Sequence, residues 1–555
     1  MRVTELEIAI PLILFPLLLQ GTAQAQAVRA TAKHPAVIKH DISPPLRTIA
    51  PVVVQGEEPE EEPAPRPTEP QSAAPRVPDP VVQKSVGQPL GTIDLMNFDG
   101  LGKGAYGFSV SGAPPDTNGA VGATQYMQWV NSSFAVFDKT TGDLLFGPAR
   151  GVTLFTDFGP PCETRNGGDG IILYDKTAGQ WMFSQINDAT TVCIAVSTSS
   201  DATGTYYRYA FDLSNVLPAG TTLSDYPKFG VWPDGYYYTA NIFGATSGTN
   251  ICAFDRANML VGNDASAQCF FSQTVGGSYL PADLDGSLAP PDGSPNFLVD
   301  INNSGQELRL LRFHADWNNP NNSTLSDAIH IPTAPFTRAS GGVPQLDSTA
   351  GLDTLGDRLM FRLGYRNFGD HESLVVNHSV QDPSTRVTGA RWYELQDPNG
   401  ATFIYQQGTF TPDSTYRWMG SIAMDRAGNI GLAYSASSPD IYPAVRYTGR
   451  TPDDPRGTLE DEKSIIEGGG SQQPTTRQRW GDYSAITIDP IDDCTFWFTT
   501  EYYQTSGSVF NWNTRIASFR FPSCGLGPPW DASKQNWFSG FLVFQVRGAN
   551  VSVNN

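Results

Sequence analysis

After the N-terminus the chain alternates short apolar runs with polar turns and shows no sustained 3.6-residue period. That pattern predicts short strands rather than helices. The runs recur as a degenerate unit: an acidic or glycine-rich turn, an apolar strand, a turn carrying Asp, Gly or Pro, and an aromatic-rich strand. The units read "PPDTNGAVGATQYMQWVN", "NGGDGIILYDKTAGQWMFSQ", "LSDYPKFGVWPDGYYYTANIF", "ADLDGSLAPPDGSPNFLVDI", "LDSTAGLDTLGDRLMFRLGY", "YRWMGSIAMDRAGNIGLAYS" and "RWGDYSAITIDPIDDCTFWFTTEYY". Their central turns fall near Asp116, Asp175, Asp234, Asp292, Asp357, Asp425 and Asp489, about 58 to 70 residues apart. That spacing suits a four-stranded sheet with generous loops.

One such sheet exposes two apolar faces and cannot stand alone. Packing each sheet between two neighbours around an axis buries both faces and leaves short edges. The fold class expected is therefore all-β: a single β-propeller of seven four-stranded blades, its units lying between Ser111 and Cys524. Aromatic strands such as Tyr236-Tyr237-Tyr238 and Phe496-Trp497-Phe498 fit the space between blades and read as core.

The flanks differ from the body. Residues 1–27 read as a signal peptide: Arg2, an apolar run from Ile8 to Leu19, and a small-residue stretch ending at Ala25 or Ala27. The run is short for a membrane span of about 20 residues, so no span is expected in the mature chain. Residues 28–95, with "EEPEEEPAPRPTEP" at their centre, read as a disordered Pro/Glu-rich linker. The propeller is expected over 96–524, and 525–555 form a C-terminal tail with a Pro-Pro break.

Composition narrows the function classes. The formal charge is −20, from 36 Lys and Arg against 56 Asp and Glu. A phosphate backbone needs clustered cations, so nucleic acid is excluded as an expected partner. Six cysteines, an even number, fit an oxidising compartment. Pairing neighbours predicts Cys162–Cys193, Cys252–Cys269 and Cys494–Cys524. With the leader, this points to a secreted, periplasmic or cell-surface protein. No C-x-x-C occurs, and the body holds only His314, His330, His371 and His378, which gives little support to a transition-metal site. A structural Ca²⁺ among the carboxylates is the one cofactor the composition leaves open.

Several units resemble the Asp-box, or BNR, repeat of the sialidase-like propeller superfamily. "SIAMDRAGNIGLAY" carries the resemblance best, with Asp425 and Gly428 in the hairpin; "FGVWPDGYYYTA" and "LYDKTAGQWMFSQ" are weaker versions. The resemblance implies a propeller and a structural Asp that caps its own turn through side-chain to backbone hydrogen bonds. It does not make Asp425 catalytic.

In a propeller the residues just before each innermost strand converge on the central channel. Those positions are polar here: Asp116, Asn118, Arg165, Asp169, Asp225, Tyr226, Lys228, Asp283, Asp285, Asp353, Arg417, Arg479, Asp482 and Tyr483, with Trp418 and Trp480 among them. "YRNFGDHESLVVNH" adds Arg366, His371 and Glu372, and "YRWMGS" and "QRWGDYS" repeat an Arg-Trp pattern. A sialidase-like hydrolase needs arginines that grip a carboxylate bidentately, a Tyr activated by a carboxylate, and an acid/base Asp. Arg358, Arg366, Arg417 and Arg479 are candidates for the first role. Tyr483 or Tyr226 is the candidate nucleophile, with Glu372 or Asp482 as the nearby carboxylate; Asp225, Tyr226, Trp418 and Trp480 are expected substrate contacts. A polysaccharide lyase would instead use His371 and Tyr483 as base and acid. Two readings stand: a glycan-active hydrolase or lyase for acidic sugars, and a non-catalytic propeller that binds an extracellular glycan or protein ligand.

Overall fold

The computed structural model describes residues 32–53, 76–274, 276–474 and 478–526. The expected signal segment, the acidic stretch from Glu57 to Pro70 and the tail after residue 526 lie outside the described residues. Among the described residues no helix is long and apolar enough to cross a membrane.

The body is nearly all β. Seven first strands organise it: β1 (Asn118–Val121), β2 (Ile171–Asp175), β3 (Thr221–Val231), β4 (Leu280–Asp285), β5 (Met360–Asn367), β6 (Tyr416–Met424) and β7 (Ala485–Ile488). Each leads an antiparallel meander running outward. From β1 the order is Gln125–Val130, Ser133–Asp138 and Leu144–Arg150. Each first strand also packs against the next, from β1 to β7, and β7 packs back against β1. The sheets thus radiate from a closed inner ring, a propeller-like arrangement.

Inside the ring most first strands lack a main-chain partner on their inner edge, and unpaired N–H and C=O groups buried there are costly. Side chains take up several of them. Asn118 Oδ1 accepts from Ile172 N–H at 2.9 Å, and Asp283 Oδ1 from Val231 N–H at 3.0 Å. Ser421 Oγ accepts from Ile486 N–H at 3.1 Å and donates to the Phe361 carbonyl at 2.7 Å. Only β4 and β5 hydrogen-bond directly, in parallel, from Ala282 opposite Leu363 to Asp285 opposite Arg366.

Aromatics fill the wedges between sheets, as their pattern predicts. Trp129 meets Phe183 of the next sheet at 4.6 Å, and Tyr126 stacks on Trp497 at 5.5 Å across the seam between first and last sheets. The seam is closed by a segment from the other end of the chain. Ile93–Asp99 pairs with Asn513–Arg520 as the outer strand of the β7 sheet.

The reading of 28–95 as a disordered spacer needs correction where the chain is described. Ala36–Ile42 adds a fifth strand beside Tyr206–Asp212, and Val82–Gln83 pairs with Thr409 and Phe410. Leu46 and Leu90 are buried. Outer strands expose paired-edge capacity, and this segment covers it while burying its few apolar side chains. Asp79 anchors it, facing the fully buried Arg391 at 2.9 Å.

The three disulfides join the expected neighbours, Cys162–Cys193, Cys252–Cys269 and Cys494–Cys524. Cys252 and Cys269 lie directly opposite on paired strands. At the Asp425 hairpin the carboxylate accepts from Ala427 N–H at 2.8 Å and Asn429 N–H at 3.0 Å, and Gly428 takes φ 80°. Asp425 therefore caps its turn, the role its motif implies.

Asp79→Ala would leave the Arg391 guanidinium buried without its carboxylate. We expect a loss of about 3 kcal/mol in urea unfolding, and a change under about 0.5 kcal/mol, the range of ordinary surface substitutions, would show that the segment is not anchored there.

Candidate active site at the mouth of the inner ring

The first strands reach one end of the ring through strained backbone. Asp116, Asp169, Tyr226, Ser278 and Met419 all hold left-handed φ, between 44° and 60°. Such conformations are costly for residues other than glycine and persist where the surroundings impose them. Register slips at Asp225/Lys228 and at Trp418/Ser421 mark bulges in β3 and β6. Bulges re-aim side chains at barrel and ring rims. Here they gather polar groups from several strands at one mouth.

The contacts are specific. Tyr483 O–H donates to Asp169 Oδ1 at 3.2 Å, and Asp482 N–H donates to Asp116 Oδ1 at 3.2 Å. Arg479 Nη2 donates to Asp482 Oδ1 at 2.6 Å, and Arg479 Nε lies 3.8 Å from Asp353 Oδ2. Gly481 N–H donates to Glu501 Oε2 at 2.9 Å. The Lys228 ammonium lies over two rings, 3.6 Å from the Tyr226 centroid and 3.9 Å from that of Tyr483. The Arg358 guanidinium stands 4.7 Å from the Tyr226 centroid, held by both oxygens of Asp357. Beside this cluster opens a polar cleft of about 320 Å³, lined by Arg338, Asp353, Thr354, Asp357, Arg358 and Gln478 among others.

Burial and crowding shift the ionisation of these groups. Asp225 is pushed up to about 7, first by desolvation and then by the charges of Asp169 and Asp482. Asp169 and Asp353 are also raised, chiefly by burial with Asp482 nearby. Burial lifts Glu501 to about 8 and lowers Lys228 to about 8. Tyr226 and Tyr483 are raised by burial. The mouth holds more carboxylates than its cations can keep ionised, so some carry protons near neutrality. Pairs of acids driven apart in this way are how active sites assign acid and base roles.

The structure brings together Asp225, Tyr226, Arg358, Arg479, Asp482 and Tyr483 of the expected set, with Asp116, Asp169, Lys228 and Asp353. It separates the others. Arg366 lies toward the opposite end of β5, with both terminal nitrogens 2.7 Å from Asp493 and Nε on the Met424 carbonyl. Arg417 is buried in a bidentate pair with Glu462 and a second pair with Asp413. Neither is placed to grip a substrate at this mouth. His371 and Glu372 sit on the hairpin after β5, at that same opposite end. His371 stacks on Phe368 and pairs with Asp370, while Glu372 accepts from Tyr365 O–H and Asn399. β5 runs from the mouth to the other end of the ring, so the hairpin that follows it, with His371 and Glu372, lies away from the site. Trp418 and Trp480 are buried against each other, 5.6 Å apart, and belong to the core rather than to a sugar platform. Asp283 and Asp285 lie deeper in the ring, bound to Arg362 at 2.8 and 2.7 Å. Asp357 was read only as a turn, yet it orients Arg358 and lines the cleft. Glu501 was missed outright. Its signal was a lone acid in the aromatic strand "TFWFTTEYY".

Glu501 holds its proton in the folded state up to about pH 8, while the unfolded chain releases it near 4.3. The native state binds more protons across that window, so unfolding becomes easier as pH rises through it. Glu501→Gln mimics the protonated acid. Denaturant unfolding at pH 5 and pH 8 should show a smaller decline for the variant than for wild type, and equal declines would refute this assignment.

No protein-family model matches the chain, and no curated protein matches it. Solved structures show distant likenesses. An endo-arabinase from Bacteroides thetaiotaomicron is 14% identical, over 52% of this chain and 95% of that one, with a TM-score of 0.25. A subtype N11 neuraminidase-like protein of A/flat-faced bat/Peru is 11% identical, over 73% of this chain and 100% of that one, at 0.27. A Synechocystis apocarotenoid oxygenase is 10% identical, over 79% of this chain and 88% of that one, at 0.30. Likenesses at this level assign the chain to no family and carry no chemistry over to it.

Proposed function

We propose that this chain is an exported, seven-bladed β-propeller that hydrolyses a glycan carrying an acidic sugar. The observation that carries the reading is Asp225. It is half-buried at the mouth, holds a proton to about pH 7 chiefly because it is desolvated and then because Asp169 and Asp482 lie near, and lies within the field of Arg358, which lines the cleft. A carboxylic acid kept protonated beside other carboxylates is what a glycosidic leaving group needs from its general acid.

Asp225 is then the proton donor. Asp482, fixed by Arg479, is the carboxylate that activates water or stabilises the positive charge developing on the sugar. Arg338 and Arg358 give the cleft reach for a substrate carboxylate. Tyr483 is disfavoured as a nucleophile, because burial raises it and its hydroxyl is committed to Asp169. It orients that carboxylate instead. A lyase built on His371 loses support, since that histidine lies away from the mouth. The three disulfides fit an oxidising compartment.

A second reading has its own support. Arg358, Arg479 and Asp482 are all engaged in internal pairs, which suits a rigid recognition surface in a propeller that binds a glycan without cleaving it.

Acidic oligosaccharides should yield new reducing ends with wild type, with kcat/KM falling above about pH 7 as Asp225 loses its proton. Asp225→Asn should lower kcat/KM by about 100-fold or more, and His371→Ala should leave it unchanged. Glycan-array binding with no turnover would select the second reading. Turnover that survives Asp225→Asn would move the acid elsewhere.

A further inference from the structure

Lys228 is fully buried in β3, a place where an ammonium is expensive. Among the described residues its Nζ makes one hydrogen bond, to the Pro227 carbonyl at 2.9 Å. Its remaining support is electrostatic. The Tyr226 and Tyr483 rings lie 3.6 and 3.9 Å away, and four carboxylates act on it. Asp116 arrives from the approach to β1, Asp169 from that to β2, Asp225 from β3 itself and Asp482 from that to β7. Arg358, 4.7 Å from the Tyr226 centroid, and Arg479, bonded to Asp482, are the other cations near this point among the described residues.

Acidic side chains from four strand entries gather here, and hard cations favour such oxygen-rich places. Yet among the described residues no three His, Cys, Asp or Glu side chains are arranged to share a metal ion. The geometric link is through the rings: Tyr483, 3.9 Å from the ammonium, donates its hydroxyl to Asp169 and follows Asp482, while Tyr226, 3.6 Å away, follows Asp225. We propose that Lys228 is the resident cation of the mouth: it does the work a bound ion would otherwise do, holding the carboxylates of separate strands together at the closure of the ring. It is a positioning residue, and the inference stands whether or not the mouth turns over a glycan.

The full chain tests this by thermal unfolding. Lys228→Met keeps the volume and removes the charge. Near neutral pH it should melt about 2 °C or more below wild type, the shift that about 2 kcal/mol produces in a chain of this size. At pH 4, where Asp225 and the raised Asp169 take up protons, the gap should close or reverse, because wild type then buries a less compensated ammonium. Lys228→Ala opens space, so ammonium chloride should restore part of its melting temperature at neutral pH, while tetramethylammonium chloride at equal ionic strength should not. A gap that stays the same at both pH values would mean Lys228 only fills space and would overturn the proposal. Equal melting of Lys228→Ala in the two salts would do the same.

Discussion

The inner ring sets the terms for the rest of this molecule. A first strand near the axis has a sheet partner on its outer side and, except for the β4–β5 pair, no regular ladder on the other. Its buried N–H and C=O groups must still be met. Asn118, Asp283 and Ser421 meet some of them from the neighbouring strand. A polar side chain buried at the axis is therefore a condition of closure. The same condition makes the axis a buried region where a cluster of charges is tolerated, because polar partners already line it.

At the mouth this tolerance is taken further. Among the described residues Asp116, Asp169, Asp225, Asp353, Asp482 and Glu501 share Lys228, Arg358 and Arg479 as cations, and Arg358 is already matched by Asp357. Excess carboxylate in a poorly solvated place has two outlets: a proton on the acid or a cation beside it. The structure uses both. Asp225 and Glu501 keep protons toward neutrality, and Lys228 is driven into the centre despite its desolvation. A protonated acid, a second carboxyl group bonded to Arg479, and a fixed guanidinium then stand together beside an open polar cleft. That juxtaposition, and not any distant likeness, supports a hydrolytic reading.

Much of this was legible in the sequence because it rests on local rules. Alternating apolar strands, turn aspartates at a steady spacing and neighbouring cysteines are each written within a hairpin. The strand content, the three disulfide pairs and the capped turn at Asp425 follow from short-range geometry. So does the polar character of the strand entries at Asp116, Asp169, Asp225 and Asp482. The segment before residue 96 misled for the opposite reason. Its centre from Glu57 to Pro70 is acidic and proline-rich, but Ala36–Ile42 and Ile93–Asp99 gain their order from sheet edges far away in sequence, and composition does not report an edge waiting to be covered.

The errors at the site share one cause: the value of an arginine or histidine depends on its partner, and the partners are distant. Arg417 follows an aromatic and precedes Trp418, just as Arg479 precedes Trp480, so the two look equivalent in sequence. Arg417 finds Glu462, 45 residues on, and is consumed by it, while Arg479 finds Asp482 within its own turn at the mouth. Arg366 is likewise consumed by Asp493, 127 residues away. Strand direction supplies the missing discriminant. In a ring whose first strands all run the same way, residues before a first strand and residues after it lie at opposite ends, so His371 and Asp225 can never share a site however suggestive their chemistry. The polarity of the ring follows from the repeat itself, which means that the order of motif and strand within each unit is a better guide to the active end than the chemical type of the residues alone.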